Sequence, residues 1–221
     1  MGQLVNFVTN LHTSTSRNYL ERMINDKVEC MSVSKKFEFD YWDGDRKFGY
    51  GGYKYIAGRW KNVAKKIINH YNLNKNSSIL DIGCGKGFLL YEILELLPSI
   101  KVVGIDKSNH AIKNVKKELK NCVFKYDARE KLTFADNEFD LALSLGTFHN
   151  FKINELSVSL SEMERVAKKG YLMLESFRNN YELFNLQCWA LTAESFHNVD
   201  EWIWIYNHFG YYGDYEFIFF E

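Results

Sequence analysis

The sequence predicts an α/β fold, a doubly wound and mostly parallel sheet with helices on both faces. Short apolar runs such as Ile79-Leu-Asp-Ile82, Val102-Val-Gly-Ile105 and Tyr171-Leu-Met-Leu174 alternate with stretches whose apolar residues recur at helical spacing. The runs lack polar alternation, as strands buried on both faces do. A glycine-rich turn, Gly83-Cys-Gly-Lys-Gly87, joins the first run to the helical pattern after it.

Residues 1–60 read as an N-terminal lid extension and 61–221 as the core. Thr15-Ser16 are expected to cap a short helix through Tyr19 to Met23, with a second short helix over 27–37. Glu38–Arg46 and Phe48–Tyr55 mix glycines and tyrosines without helix or strand period, which predicts an ordered loop or lid.

In the core, Val63-Ala64, Ile67-Ile68 and Tyr71 mark a helix, and 78–82 is the first strand. A helix over 87–97 stops at Pro98, and a strand follows at 101–105. Ser108-Asn109 can cap a helix whose apolar face is Ala111-Ile112, Val115 and Leu119; its lysines, Lys113, Lys116, Lys117 and Lys120, read as a solvated face. Val123–Tyr126 and Phe139–Ser144 are the next strands. A helix from Asn154 to Lys168 buries Leu156, Leu160, Met163 and Val166 and ends at Lys169-Gly170. Tyr171–Glu175, two more helices and a final strand Tyr215–Phe220 complete the chain.

Lys+Arg and Asp+Glu balance at 28 each among 221 residues, which argues against a nucleic-acid partner. The four cysteines are scattered with no CxxC pair, so neither disulfides nor a metal site is expected. No apolar run approaches the roughly 18 residues of a membrane span, and the first twenty residues show no secretory pattern. A cytoplasmic protein is therefore expected. Aromatics, 16% of the chain, gather in residues 37–60 and 202–220, as core and lid packing or as an acceptor pocket.

The glycine turn predicts a ligand site at the carboxyl end of the first strand. Gly83 and Gly85 permit unusual dihedrals and remove Cβ atoms from the ligand's path. A dinucleotide fingerprint needs glycine where Phe88 stands. Asp81, two residues before the first glycine, suits the cationic amine of an amino-acid moiety and would be an odd neighbour for a pyrophosphate. Asp106 can accept from both ribose hydroxyls, or simply cap a helix. Asp127 can accept from an adenine amine, with the Ala128 N–H serving a ring nitrogen, or be an ordinary loop acid.

With these pieces in order, the chain resembles the class I S-adenosylmethionine-dependent methyltransferases over roughly residues 60–177. The matching pieces are Leu80-Asp-Ile-Gly-Cys-Gly-Lys-Gly87, Gly104-Ile-Asp-Lys-Ser108, Tyr126-Asp-Ala128, Leu132-x-Phe134-x-Asp136-Asn-x-Phe-Asp140 and Glu162-x-x-Arg165-Val166. The resemblance implies a Rossmann-like, seven-stranded sheet with an antiparallel last strand. It implies a site for S-adenosylmethionine, leaving S-adenosylhomocysteine, that uses Asp81, Gly83, Gly85, Asp106, Lys107, Asp127, Ala128 and Leu145. The N-terminal Asp-Tyr-Trp-Asp-Gly-Asp and Gly-Tyr-Gly-Gly-Tyr segment is similar to a subgroup loosely associated with bacterial surface-polysaccharide pathways.

The expected acceptor is a small molecule methylated on nitrogen or oxygen, and there is room for a homodimer. A protein acceptor, and a non-catalytic cofactor-binding protein, stay open as alternatives. His149, beyond the fourth strand, is the leading candidate base, with a structural histidine as the other reading. Glu175 can act as base or hold an amine. Arg178 can bind a phosphate or carboxylate, or belong to a surface ion pair. Tyr50 and Tyr53 are expected in the lid, lining the pocket or only packing it. Arg59 can hold the cofactor carboxylate or an acidic acceptor, or serve only the surroundings of the next helix's cap.

Overall fold

The computed structural model describes residues 2–221. Helices α1 (Thr9–Thr13), α2 (Tyr19–Ile24), α3 (Lys27–Ser34) and α4 (Phe39–Trp42) precede the core, which begins with α5 (Lys61–Tyr71). The core continues β1 (Ser78–Ile82), α6 (Phe88–Leu96), β2 (Lys101–Asp106), α7 (Asn109–Lys113), β3 (Val123–Lys125) and β4 (Leu141–Leu145). Then come α8 (Ile153–Val166), β5 (Gly170–Glu175), α9 (Asn180–Trp189), α10 (Val199–His208) and β6 (Asp214–Ile218).

The strands form one sheet in the order β3-β2-β1-β4-β5-β6, and every neighbouring pair is parallel. The order reverses between β1 and β4. Their carboxyl ends therefore diverge into connections on opposite faces and leave a crevice between them.

Alternation along the strands builds two apolar layers. Ile79, Leu141 and Leu143 join α5 and α6 through Ala64, Ile67, Leu90 and Ile93 on one face. Leu80, Ile82, Ala142 and Leu172 join α8 and α10 through Leu160, Met163, Trp202 and Ile205 on the other. Because successive side chains point to opposite faces, a strand covered on both sides must be apolar throughout.

The α/β doubly wound architecture is as the sequence predicts, but the last strand is not. Among the described residues six strands form the sheet rather than seven, and β6 runs parallel to β5, with Tyr171 beside Asp214 and Glu175 beside Ile218. The connection from β5 to β6 carries α9 and α10, which return the chain to the end where β5 began. A helical crossover of that length gives a parallel neighbour, whereas an antiparallel one needs only a hairpin.

The helix expected through Leu119 also breaks, into α7 and a separate 3-10 turn at Lys117–Leu119. An unbroken helix would stack Lys113, Lys116, Lys117 and Lys120 at like-charge i,i+3 and i,i+4 spacings. Instead the Lys116 ammonium lies 4.1 Å from the Tyr55 ring centroid and 4.3 Å from that of Tyr91. The cap of α2 is Asn18, whose side chain accepts from the Glu21 N–H, rather than Thr15 or Ser16.

The N-terminus is tied to the outer strand. Glu216 on β6 is 1% exposed, and its carboxylate accepts from the backbone N–H groups of Phe7, Val8 and Thr9 and the hydroxyls of Thr9 and Tyr171. Three of these donors open α1, where the carboxylate meets the positive end of the helix. Phe7 and Val8 are thereby placed in the apolar layer against Tyr171. Glu216→Ala strands several buried donors and is expected to cost about 3 kcal/mol or more. Urea unfolding measures this, and a loss below about 1 kcal/mol would show that water replaces the carboxylate.

Candidate functional site

The turn after β1 is stitched to β2. The N–H groups of Gly83 and Cys84 both donate to the Ile105 carbonyl, at 2.8 and 3.0 Å. The Gly85 N–H donates to Asp106 Oδ2 at 2.9 Å, and the Ser108 N–H to Oδ1 at 2.8 Å. Gly83 and Gly85 have φ of +80° and +55°, a region that side chains disfavour. Each also has a neighbour where a Cβ would stand. The Thr147 hydroxyl would lie 2.0 Å from a Gly83 Cβ, and the Trp42 ring 2.7 Å from a Gly85 Cβ.

Two adjoining cavities open at this turn and share Gly83, Leu145, Gly146, Trp42 and Tyr50 as walls. The smaller, about 90 Å³, is bounded by Asp106, Lys107, Asp127, Ala128 and Asn150. The larger, about 510 Å³, is bounded by Asp81, Gly85, Tyr53, Arg59, His149 and Glu175. Its volume falls within the roughly 300–1,000 Å³ of small-molecule sites. Every residue expected in the site lines one of these cavities except Arg178. That side chain lies outside both, held by the carboxylates of Glu182 and Glu221 against the Phe219 ring. Asn179 caps α9 beside it and presents Glu182 one turn on, so the local helix claims Arg178 first.

The carboxyl groups differ by environment. Asp81 is 4% exposed, and burial and then the nearby Asp106 charge push its carboxyl up to about 8, with no hydrogen-bond donor opposing them. Burial also raises Asp106, the two backbone N–H bonds only partly offsetting it. Asp127 is held low, first by its bond from Arg129, whose Nε lies 2.9 Å from Oδ1. Lys107 is lowered by burial, and its ammonium sits 4.4 Å from the Phe37 ring centroid.

These groups fit an amino-acid-bearing nucleoside. Asp81 offers the larger cavity a buried carboxyl in need of a cation. Asp106 keeps lone pairs beyond the two it commits. On the wall of the smaller cavity the Asn150 Oδ1 is buried with no donor among the described residues, while its Nδ2 donates to the Thr147 carbonyl. An N–H on the ligand would satisfy that oxygen.

His149 and Glu175 come together although they stand 26 positions apart in sequence. His149 Nε2 lies 3.6 Å from Glu175 Oε2, too long for a hydrogen bond but within ion-pair reach. His149 is 7% exposed, and its Nδ1 has no partner among the described residues. The 3-10 turn Phe148–Asn150 and the end of β5 hold them, and the His149 carbonyl accepts from the N–H groups of Glu194 and Ser195.

The aromatic segment lies over the turn. Trp42 stacks on Tyr50 with ring centroids 5.3 Å apart and planes 6° from parallel, and Tyr53 stacks on Phe88 at 5.0 Å. Burial pushes the Tyr53 phenol up. Trp42 Nε1 donates to the Ser108 hydroxyl, at 3.0 Å. Asp43 accepts from Lys86 Nζ and His110 Nε2, both at 2.7 Å. Burial alone would raise Asp43, and the bonds from His110 and Lys86 outweigh it and hold the carboxyl low. Trp42, Asp43, Lys86 and Thr147 carry no site signal of their own in the sequence, and Asn150 only its position beside His149. The other signal was the aromatic and acidic density of Glu38–Arg46.

Fold and site together define an α/β protein with a crevice of two adjoining cavities at its topological switch point. Residues 73–210 match the family model described as "Methyltransferase domain", and the chain belongs to that family. It carries a recognisable S-adenosylmethionine-dependent methyltransferase domain. Among curated relatives it is similar to a malonyl-[acyl-carrier protein] O-methyltransferase of Bacillus cytotoxicus, 30% identical over 55% of this chain and 45% of the relative. It is also similar to a ubiquinone biosynthesis O-methyltransferase of Pelagibacter ubique, 28% identical over 67% of this chain and 63% of the relative. The chain thus spans less than two thirds of the length of either. The YcgJ protein of Bacillus subtilis shares the fold, with a TM-score of 0.53 at 17% identity over 66% of each chain.

The Asp81 shift has a consequence for the unliganded protein. The folded state keeps a proton that the unfolded chain releases near 3.8, so this group's stabilisation is complete below that value and is lost as pH rises through about 8. Asp81→Asn is expected to flatten this fall. Urea unfolding at about pH 5 and about pH 9 checks it, and equal pH slopes for the two proteins would contradict it.

Proposed function

We propose that the protein transfers the methyl group of S-adenosylmethionine to a nitrogen or oxygen of a small-molecule acceptor, a sugar-, nucleotide- or phosphate-bearing metabolite, with residues 1–60 as the lid. One observation carries this: the buried, unpartnered Asp81 carboxyl opens on the same cavity as the His149–Glu175 pair. A site that takes a cationic amine at one wall and a proton at another suits a cofactor with an amino-acid tail beside an acceptor that must lose a proton.

The bound cofactor supplies an electrophilic methyl on a sulfonium, so the protein's work is alignment, exclusion of water and management of one proton. Asp81 takes the amine and is ionised by it. Asp106 receives the ribose hydroxyls on its remaining lone pairs. The Ala128 N–H serves the adenine ring, and Asp127 or the orphaned Asn150 oxygen receives its amine. Trp42, Tyr50 and Tyr53 close the space above the turn and keep water out. The acceptor's N–H or O–H meets His149 and Glu175, which accept its proton.

The neutral charge balance supports a free small molecule over a nucleic acid. The four free cysteines suit a reducing, cytoplasmic setting. Among the described residues no helix is long and apolar enough to cross a membrane. A surface-glycan pathway rests only on the resemblance of the N-terminal aromatic segment.

Calorimetry with S-adenosylhomocysteine is expected to show saturable binding, and its absence would end this reading. Asp106→Ala should weaken that binding about tenfold or more, equivalent to about 1.4 kcal/mol. His149→Ala should lower turnover about a hundredfold while cofactor affinity stays near that of the wild type. A turnover equal to the wild type's would remove His149 from the chemistry.

A further inference from the structure

The chain has seven arginines, and they divide by position. Arg129, Arg165 and Arg178 each pair with a carboxylate. Arg17, Arg22, Arg46 and Arg59 line the larger cavity, and among the described residues none of them forms an ion pair. Three of the four surround one indole: the guanidinium carbons of Arg17, Arg22 and Arg46 lie 5.5, 4.6 and 5.1 Å from the Trp189 ring centroid.

Neutral groups hold these cations in place. Arg22 donates to the carbonyls of Arg46, Lys47 and Gly49, and Arg46 to that of Gly49. Arg17 donates to the carbonyls of His12 and Thr15 and to His12 Nδ1, while its Nε is buried with no acceptor among the described residues. Carbonyls and an indole face orient guanidinium groups but do not neutralise them. Burial, and then the repulsion of Arg46, lowers Arg22 to about 10. Among the described residues the carboxyl groups on this cavity are Asp81 and Glu175; neither forms an ion pair with an arginine, and Glu175 acts on Arg17 only through its charge at longer range. All four arginines lie outside the matched methyltransferase region, residues 73–210.

We propose that Arg17, Arg22 and Arg46 around Trp189 form an anion subsite that takes the phosphate group of the methyl acceptor. A phosphate monoester brings a charge of about −1.5 to −2 and three acceptor oxygens, which answers several guanidiniums where a carboxylate answers one. Forked N–H groups match such oxygens. Because the cluster shares its cavity with His149 and Glu175, anchoring the phosphate there holds the rest of the acceptor toward that pair. The acceptor's identity as a methyl acceptor rests on the function proposed above; the anion subsite itself does not.

The test titrates inorganic phosphate, and acetate for comparison, into the full chain loaded with S-adenosylhomocysteine at constant ionic strength, read by calorimetry and thermal shift. The wild type should bind phosphate saturably and acetate about tenfold more weakly or worse. Arg17→Gln and Arg22→Gln should weaken phosphate about tenfold while S-adenosylhomocysteine affinity changes less than about twofold. Arg46 is solvent-exposed, so Arg46→Gln repeats the test without disturbing a buried group. No saturable phosphate binding by the wild type, or undiminished binding by the variants, overturns the proposal. So does acetate binding as tightly as phosphate, or an equal loss of S-adenosylhomocysteine, which would make the cluster the holder of the cofactor's carboxylate. If S-adenosylhomocysteine fails to bind but phosphate binds and the variants lose it, the methyl-transfer reading falls and the anion subsite stands.

Discussion

A buried ammonium dictates how the site closes. Lys86 sits inside the glycine turn, 4% exposed, and such a charge needs a partner. Its carboxylate is Asp43, which comes from the N-terminal segment, and the Tyr53 carbonyl completes its contacts at 2.8 Å. The segment must therefore fold down on the turn. Trp42, next to Asp43, is carried over Gly85 and reaches Ser108. Tyr50 and Tyr53 follow it onto Trp42 and Phe88. The roof of the cavity is the consequence of one ion pair formed across 43 positions of sequence.

The larger cavity holds groups of both signs. At the glycine turn, burial and the neighbouring Asp106 leave Asp81 reluctant to ionise. Elsewhere on its wall, Arg17, Arg22 and Arg46 crowd one indole without forming an ion pair among the described residues. Neither group is at its electrostatic optimum in the free protein, and each would improve on meeting a ligand of opposite charge. A molecule or pair of molecules that carries a cation and an anion answers both. Such unsatisfied sites lower the stability of the free protein, so its rigidity must come from elsewhere, chiefly the two apolar layers on the sheet and the Glu216 anchor of the N-terminus.

The parallel sheet explains why distant residues meet. All its strands end on the same edge, so Asp81 near the end of β1, Asp106 at the end of β2, Leu145 at the end of β4 and Glu175 at the end of β5 arrive together. The glycine turn and the apolar strands are local patterns, legible because backbone dihedrals and side-chain alternation depend on near neighbours. The same locality left Arg178 between an anion site and a surface ion pair, and the fold resolves it as the ion pair, with Glu182 and Glu221. It also hid the arginine cluster: Arg17 precedes α2, Arg22 lies within it and Arg46 opens a 3-10 turn, and the three meet at Trp189.

By itself the sequence determined the α/β class, the glycine turn and the acids at the ends of the strands, because these follow from residue spacing and from what a glycine or a buried strand allows. The direction of the last strand, the 3.6 Å approach of His149 to Glu175, the Lys86–Asp43 closure and the arginines around Trp189 were decided by tertiary structure. Each of these depends on which distant groups share a dry volume. Burial, counter-charge and crossover length are set by the packed whole rather than by any window of the chain.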